Sequence, residues 1–166
     1  EQPTHEHTAC PTCGLCTSEE CDGTAEEKCQ GHTQEPEQPE QEFVKLTDTS
    51  KIADGTEIVI VGEGKENSFT LGENGGTFFV ANPFDNTNMN NVIVITLVKA
   101  EGGYKLKLGE GQYIYYSGSK NQAYVGEEKT DSSDIWTIEL VDGLFKIVNK
   151  ANSERYLQFN EADQRF

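Results

Sequence analysis

The residues best suited to chemistry in this sequence are cysteines and histidines near its N-terminus. All five cysteines and all three histidines lie between His5 and His32. Two residues separate Cys10 from Cys13, and the pair formed by Cys29 and His32 repeats that spacing with an imidazole. Two thiolates at this spacing can grip one ion, and a gap of fifteen residues between such pairs is typical of zinc ribbons. The pattern therefore predicts a zinc site.

Four further thiol and imidazole groups lie in the same segment, namely Cys16, Cys21, His5 and His7. Two tetrahedral zinc ions would use all eight groups, whereas one ion would leave these four spare. Structural zinc contributes roughly 10–16 kcal/mol in small peptides, which is enough to fold a segment without an apolar core.

Three other states of the cysteines remain open. Disulfides are expected if the protein is extracellular, although five cysteines leave one unpaired. Cys10, Cys13 and Cys16 have the spacing of an iron–sulfur motif, but Cys21 follows too late and without a proline. The third alternative is a disordered, cysteine-rich linker that holds no metal.

The composition divides the chain near residue 43. Residues 1–42 contain no aromatic side chain, and Leu15 is their only large aliphatic residue. Such a segment buries too little apolar surface to offset the entropy lost on ordering. We therefore expect a Cys/His-rich arm over residues 1–32, an extended acidic Pro/Gln/Glu linker over residues 33–42 and one folded domain over residues 43–166.

Acidic charge is concentrated in the arm and the linker. The formal net charge of the chain is −16, and eleven acidic residues with one lysine give residues 1–42 a share of −10. Nucleic acids and anionic membranes require clustered Lys and Arg, so neither is an expected partner. No apolar run approaches the ~18–20 residues of a membrane span. With no initiator methionine or signal peptide, we expect an excised segment of a longer protein with neighbouring domains.

The domain over residues 43–166 is predicted to be all-β. Short apolar or alternating runs, bounded by Gly, Asp and Asn, have the length and the period of strands. No window has a sustained helical period, and residues 47–53 could form only a single turn. The predicted strands cover residues 57–61, 91–97, 104–108, 135–140 and 145–148.

This domain contains an internal repeat. The stretch from Ile95 to Leu106 matches the stretch from Trp136 to Ile147 at one constant offset, and a fainter copy starts at Ile58. Three units of about 40 residues suit a closed three-fold arrangement better than a propeller of four to eight blades. The repeat predicts a trefoil-like or related closed β-barrel, with an irregular β-sandwich as the alternative. In the fainter copy, Phe69 takes the place of Tyr156.

The residues of this domain argue against catalysis. Residues 43–166 contain neither His nor Cys, which removes Ser-His-Asp and Cys-His nucleophile systems. The acidic residues lie in turn-like contexts, where solvated carboxylates are a simpler interpretation than a glycosidase pair. We predict that the chain is not an enzyme. A fragment of a larger hydrolase, whose partner domain carries the chemistry, is an alternative.

Aromatic side chains are the candidates for ligand binding, because sugar recognition needs exposed rings with polar neighbours. Tyr115, Tyr124 and Phe84 are the predicted ligand-binding residues. Four other aromatic residues occupy repeat-related positions and are predicted to lie in the core: Tyr113, Tyr116, Tyr156 and Phe159.

The domain over residues 43–166 also carries a set of short motifs, namely residues 43–46, residues 53–61, the triplet Trp136-Thr137-Ile138, residues 155–160 and residues 165–166. Together they resemble a module of gut-bacterial surface and secreted proteins, and residues 10–16 and 28–32 resemble cysteine-rich spacers of such proteins. The resemblance implies a non-catalytic accessory domain of β-trefoil or β-barrel type, outside the cell or on its surface. The Gln-x-Trp signature of ricin-type lectins is absent.

These observations favour a non-catalytic binding or spacer module of a bacterial surface or secreted protein. Its expected partners are a glycan or a protein, bound weakly, and the neighbouring domains of the longer chain. A structural spacer stapled by zinc or disulfides, without any ligand, is the alternative of another class.

Overall fold

All regular secondary structure in the described part of the chain is β-strand. The computed structural model describes residues 43–76, 78–87, 89, 92–109, 111–118 and 121–166. Within these residues there are eleven strands and no helix, so the predicted all-β class is confirmed. The Cys/His-rich arm and the acidic linker lie outside the described residues, and their boundaries stay predictions.

The strands form two antiparallel sheets. The larger sheet has eight strands in the order β1-β5-β6-β9-β10-β11, with β7 paired to β6 and β8 paired to β7, and the smaller has the order β2-β3-β4. The strand bounds are β1 Glu57–Ile58, β2 Val61–Glu63, β3 Ser68–Asn74, β4 Phe79–Pro83, β5 Ile95–Ala100, β6 Gly103–Leu108, β7 Gln112–Tyr116, β8 Ala123–Gly126, β9 Ile135–Val141, β10 Leu144–Asn149 and β11 Tyr156–Leu157.

One predicted strand is divided between the two sheets. The sequence predicts a single strand over residues 57–61, but β1 ends at Ile58 and pairs with β5, whereas β2 begins at Val61 and pairs with β3. Gly62 follows directly, and a Cβ there would lie 2.4 Å from Cβ of Phe159. Only a residue without a side chain lets the backbone run so close.

Another predicted strand begins later than expected. The sequence predicts a strand over residues 91–97, but β5 begins at Ile95. The neighbouring strands β1 and β6 end at Ile58 and Leu108, level with Ile95. Residues 92–94 therefore have no strand of this sheet opposite them. The predicted single helical turn is a plain turn, in which the Ile52 N–H donates to the Thr49 carbonyl at 3.1 Å.

Two hairpins of the larger sheet share one register. Thr96 pairs with Lys107 in β5–β6, and Thr137 pairs with Val148 in β9–β10, so both partners are displaced by the constant offset of the sequence repeat. The following strand also pairs in the same way, β7 with β6 and β11 with β10. Strands β5, β6 and β7 therefore pair with one another in the same way as strands β9, β10 and β11.

The fainter copy has a different register. The sequence aligns Phe69 with Tyr156, which pairs with Val148 in the structure, so an identical register would pair Phe69 with Val61. In the structure Phe69 pairs with Gly62, one position further along. Because a shift of one residue exchanges the faces of a strand, Phe69 packs against the core while Tyr156 is 46% exposed.

Neither sheet closes into a barrel within the described residues. The end of the chain instead reaches the smaller sheet: Phe166 and Phe79 exchange two backbone hydrogen bonds of 2.9 and 3.2 Å, and Val80 forms a bridge with Arg165. The closed barrel predicted from the sequence is thus not found, and the three-fold repeat stays a prediction.

The hydrophobic core draws side chains from both sheets. Phe159 links them, since its ring lies 4.9 Å from that of Phe69 and 5.2 Å from that of Phe166. Fully burying one large apolar side chain contributes about 1.5–3 kcal/mol, so this shared core holds the two sheets together. Its buried members are Leu71, Phe79, Ala81, Ile95, Leu97, Leu106, Ile114, Tyr116, Ala123, Trp136, Ile147 and Phe166.

Candidate functional site

The paired strands β7 and β8 have one buried and one outer face. Ile114 and Tyr116 of β7 and Ala123 of β8 are buried in the core. Because successive side chains of a strand alternate, Tyr115 and Tyr124 lie on the outer face. The two tyrosines are direct cross-strand partners, and both are half-buried.

The rings of Tyr115 and Tyr124 stack on each other, with centroids 5.6 Å apart and planes inclined by 26°. The Lys129 ammonium lies 4.1 Å from the centroid of the Tyr115 ring, which is a cation–π distance. The Tyr124 hydroxyl donates a hydrogen bond to Oε1 of Gln122. We call this group, Tyr115, Tyr124, Lys129 and Gln122, the tyrosine surface.

Gly126 allows the Tyr115 ring to lie close to β8. A Cβ at Gly126 would stand 3.2 Å from Cε1 of Tyr115 and 3.7 Å from Nζ of Lys129. The first distance is a tight contact, so a side chain here would require the Tyr115 ring to shift slightly, whereas the second is an ordinary van der Waals contact. The absence of a side chain at Gly126 therefore leaves room for the ring beside β8.

The loop that carries Lys129 is closed around a second lysine, Lys105 of β6. The Lys105 ammonium donates to Oε1 of Glu128 at 2.8 Å, to the carbonyl of Lys129 at 3.3 Å and to Oδ2 of Asp134 at 3.0 Å. Oδ2 of Asp134 also accepts the N–H of Lys129 at 2.8 Å. These bonds fix the backbone from which the Lys129 side chain reaches Tyr115.

Charge and hydrogen bonding shift the pKa of groups in this loop. Burial lowers the pKa of Lys105, but hydrogen bonds and charges from Glu128 and Asp134 outweigh it and raise the pKa above its ordinary value. In the same loop, hydrogen bonds from the hydroxyl and the N–H of Ser133 lower the pKa of Asp131. Both shifts favour charged groups in the loop at neutral pH.

The third predicted ligand-binding residue is not part of the tyrosine surface. Phe84 follows β4 of the smaller sheet, where it is half-buried and its N–H donates to the Ser68 carbonyl at 2.9 Å. An open cleft of about 610 Å³ beside β4 does not have Phe84 among its lining residues. That cleft is lined by Gly72, Glu73, Asn82, Pro83, Val92 and Ile93.

Two of the four aromatic residues predicted to lie in the core do so. Tyr116 is buried and Phe159 packs against the core. Tyr113 and Tyr156 are not core residues: the Lys105 ammonium lies 5.9 Å from the Tyr113 ring, and Tyr156 is 46% exposed. In β7 the prediction was wrong because residues three positions apart on a strand, such as Tyr113 and Tyr116, face opposite ways. Phe159 lies beyond the end of β11, so its position in the core does not depend on the face that Tyr156 takes.

Sequence reasoning missed two members of the tyrosine surface. Gln122 precedes Tyr124 by two residues, and the period of a strand places such residues on one face, so a signal for it was present. Lys129 reaches Tyr115 from a loop, and its position depends on contacts with Lys105 and Asp134 that no local pattern reveals.

The predicted metal site cannot be placed on this structure, since all its ligands lie outside the described residues. They are Cys10, Cys13, Cys29, His32, Cys16, Cys21, His5 and His7. Across residues 43–166, as far as they are described, no three His, Cys, Asp or Glu side chains are grouped as a metal ion would need. The same residues include no helix long and apolar enough to cross a membrane.

Comparison with known proteins gives no match. No family model matches the chain, and neither a curated protein nor a solved structure is significantly similar to it. The resemblance to modules of gut-bacterial surface proteins is therefore left as a prediction from the sequence.

Proposed function

We propose that residues 43–166 are a non-catalytic binding module whose tyrosine surface contacts a glycan or a protein. The observation that supports this best is the stacked pair Tyr115 and Tyr124 on the outer face of β7–β8, with a lysine against one ring. Sugar rings and apolar side chains pack on aromatic faces, and tyrosine is enriched at recognition surfaces because it joins an apolar ring to a polar hydroxyl.

The polar groups of the tyrosine surface suit a hydroxylated ligand. The Lys129 ammonium is a donor, and the Tyr124 hydroxyl and the Gln122 amide are already oriented by their mutual hydrogen bond. Orientation before binding lowers the entropy lost on binding. Because the surface is small, the proposed affinity is weak, as expected for a module that acts beside other domains.

The proposal places the chain in a bacterial surface or secreted protein. The resemblance of the short motifs within residues 43–61, 136–138 and 155–166 to accessory modules supports it. In such a protein the module would hold or present a neighbouring domain. We further propose a trefoil-like three-unit arrangement, supported by the shared register of the two hairpins.

We propose a separate structural role for the arm over residues 1–32. Zinc bound by Cys10, Cys13, Cys29 and His32 would give shape to a segment that has almost no apolar side chains. Disulfides remain the alternative in an extracellular setting.

The test of the binding proposal starts from a glycan array probed with the whole chain. A ligand found there is then titrated against Tyr115→Ala, Tyr124→Ala and the double variant, and we expect about tenfold or greater loss of affinity for the double variant. Tyr156→Ala is the matched control, because Tyr156 is also exposed and also has a lysine near its ring, Lys146 at 4.9 Å.

Equal loss of affinity in the control variant would contradict a site at the tyrosine surface. If the array yields no ligand and the immobilised chain captures no protein partner, the binding proposal fails and the spacer interpretation replaces it. Folding of every variant is checked by the fluorescence of Trp136, the single tryptophan of the chain.

A further inference from the structure

Lys105 and Asp134 bring an amine and a carboxyl into contact inside the protein. Lys105 of β6 is the cross-strand partner of Ile135, the first residue of β9, and Asp134 directly precedes that residue. Nζ of Lys105 lies 3.0 Å from Oδ2 of Asp134. The Asp134 side chain is 0% exposed and that of Lys105 is 12% exposed, so water has little access to either group.

The two oxygens of Asp134 are not equivalent. Oδ2 accepts the Lys129 N–H at 2.8 Å as well as the Lys105 ammonium. Oδ1 is buried and has no hydrogen-bond partner among the described residues. A buried carboxylate oxygen without a hydrogen-bond donor from the protein is unfavourable for the charged form.

We propose that Lys105 and Asp134 condense to form an intramolecular isopeptide bond. The lone pair of Nζ attacks Cγ of Asp134, the Nζ–Cγ bond forms and the Cγ–Oδ1 bond breaks. Oδ1 leaves as water with two of the three hydrogens of the ammonium, so an ammonium and a carboxylate become a neutral amide and one water molecule. Oδ2 becomes the amide oxygen and keeps the Lys129 N–H bond.

Glu128 supplies the proton transfer that this condensation needs. Its Oε1 lies 2.8 Å from Nζ of Lys105, within the range for a general base. The Glu128 carboxylate takes one proton from the ammonium to give the free amine. The attacking nitrogen loses a second proton as the amide forms, and both protons end on the departing Oδ1, so that Glu128 is again a carboxylate when the water leaves. At 64% exposure, the Glu128 side chain keeps contact with solvent, into which the water can leave.

The ion pair itself slows the reaction. Hydrogen bonds from Glu128 and Asp134 raise the pKa of Lys105, so the free amine is a minor form at neutral pH. The fixed positions of Lys105 in β6 and of Asp134 next to β9 favour the reaction, because two groups that are already held together lose little further entropy when they react. The bond therefore forms slowly, after the strands have paired.

The bond would join β6 to the start of β9 across 29 residues. The bond closes a covalent loop of the chain that contains β7 and β8. Cross-links of this kind stabilise a fold mainly by reducing the conformational freedom of the unfolded chain. The backbone that carries Lys129 lies within this loop.

Peptide mapping of the whole chain tests the proposal directly. After reduction and digestion with trypsin, we expect a branched peptide in which residues 100–107 are joined to residues 130–146, lighter than the separate peptides by one water molecule. Trypsin does not cut after an acylated lysine, so Lys105 stays internal. The peptide is needed because an N-terminal glutamate can also lose water by cyclisation, and Glu1 would give the same change in intact mass.

Three variants make the test specific. Asp134→Asn is expected to give the same branched peptide with loss of ammonia instead of water, and Lys105→Arg is expected to give none. Glu128→Gln is expected to slow the appearance of the branched peptide at least about tenfold. An unchanged rate would overturn the role of Glu128. Wild-type protein incubated to constant mass that still yields separate, unmodified peptides would overturn the bond and leave an ion pair only.

Discussion

The indole nitrogen of Trp136 donates a buried hydrogen bond to the backbone carbonyl of Ile114 at 2.9 Å. Trp136 lies in β9 and Ile114 in β7, and these two strands pair with β6 but not with each other. The side chain therefore ties together strands that the backbone ladder connects only indirectly. It also fixes the strand that carries Tyr115.

We expect Trp136→Phe to lower the free energy of unfolding by about 2–4 kcal/mol. The smaller ring leaves space in the core, and the buried Ile114 carbonyl loses its donor. Urea unfolding followed by far-ultraviolet circular dichroism measures the change without relying on the lost tryptophan. Tyr156→Phe is the control, because Tyr156 is exposed and should change stability by less than about 0.5 kcal/mol. Equal midpoints for the two variants would contradict a structural role for the indole bond.

A second buried polar contact lies beside β9. The side chain of Asn149 is completely buried, its Nδ2 donates to the Ser133 carbonyl at 2.8 Å, and its Oδ1 accepts the Ala151 N–H at 3.1 Å. We expect Asn149→Asp to destabilise the domain by about 2–4 kcal/mol at neutral pH, because a carboxylate oxygen would face the Ser133 carbonyl without a donor.

The pH dependence of that variant carries further information. Burial disfavours the charged form of the new carboxyl, so its protonation in acid should restore part of the lost stability relative to the wild-type protein. Asn152→Asp is the matched control, since its Oδ1 only accepts a hydrogen bond, from the Glu154 N–H at 3.1 Å. A loss that is the same for both variants, or that does not shrink in acid, would be incompatible with this account of Asn149.

Three aspartates in turns should make the domain less stable in acid. In each turn, the Ser or Thr two residues after the aspartate donates hydrogen bonds from its hydroxyl and its backbone N–H to the aspartate carboxylate. These bonds lower the pKa of the aspartate below the ordinary value of 3.8. A carboxyl whose pKa is lowered on folding adds stability above its unfolded pKa, and that stability is lost as the pH falls through the folded value. The loss is therefore expected below about pH 4. The three carboxyls are those of Asp48, Asp85 and Asp131.

Asp131→Asn isolates one of these contributions. The amide keeps an oxygen for the Ser133 N–H, which the carboxylate accepts at 3.1 Å, but it does not titrate. Urea midpoints measured from about pH 5 into acid should therefore fall less steeply for this variant than for the wild-type protein. Glu154→Gln makes the same change in net charge and is the control. Parallel curves for Asp131→Asn and the wild-type protein would show that the turn contributes nothing to acid sensitivity.

The sequence predicts those features of the fold that depend on local periodicity. Strands β6, β9 and β10 follow from alternation between glycine-bounded turns, and the constant offset of the repeat anticipates the shared register of Thr96 with Lys107 and of Thr137 with Val148. Tyr115 and Tyr124 could be selected because they break the repeat-related core pattern. In each case the contacts that determine the strand, its register or the outward direction of a side chain lie within one hairpin.

Features that depend on distant contacts could not be read in the same way. The division of residues 57–61 between two sheets arises where Gly62 passes Phe159, which lies far away in the chain. The buried contact of Lys105 with Asp134 joins residues from different repeat units, and neither residue differs locally from a surface charge. The prediction for Phe84 depends on the polar residues around it in the sequence. These residues do not reveal that Phe84 lies next to β4 of the smaller sheet, away from the tyrosine surface.

The Cys/His-rich arm over residues 1–32 is proposed to bind zinc. The whole chain, purified without chelator, should contain about one or two equivalents of zinc by elemental analysis. Cys10→Ser combined with Cys13→Ser should remove at least one of them, because a serine hydroxyl is a poor replacement for a thiolate ligand. Thr12→Ala is the matched control, since it lies between the two cysteines and supplies no expected ligand. Zinc well below one equivalent, together with thiols that react only after reduction, would refute the zinc site in favour of disulfides.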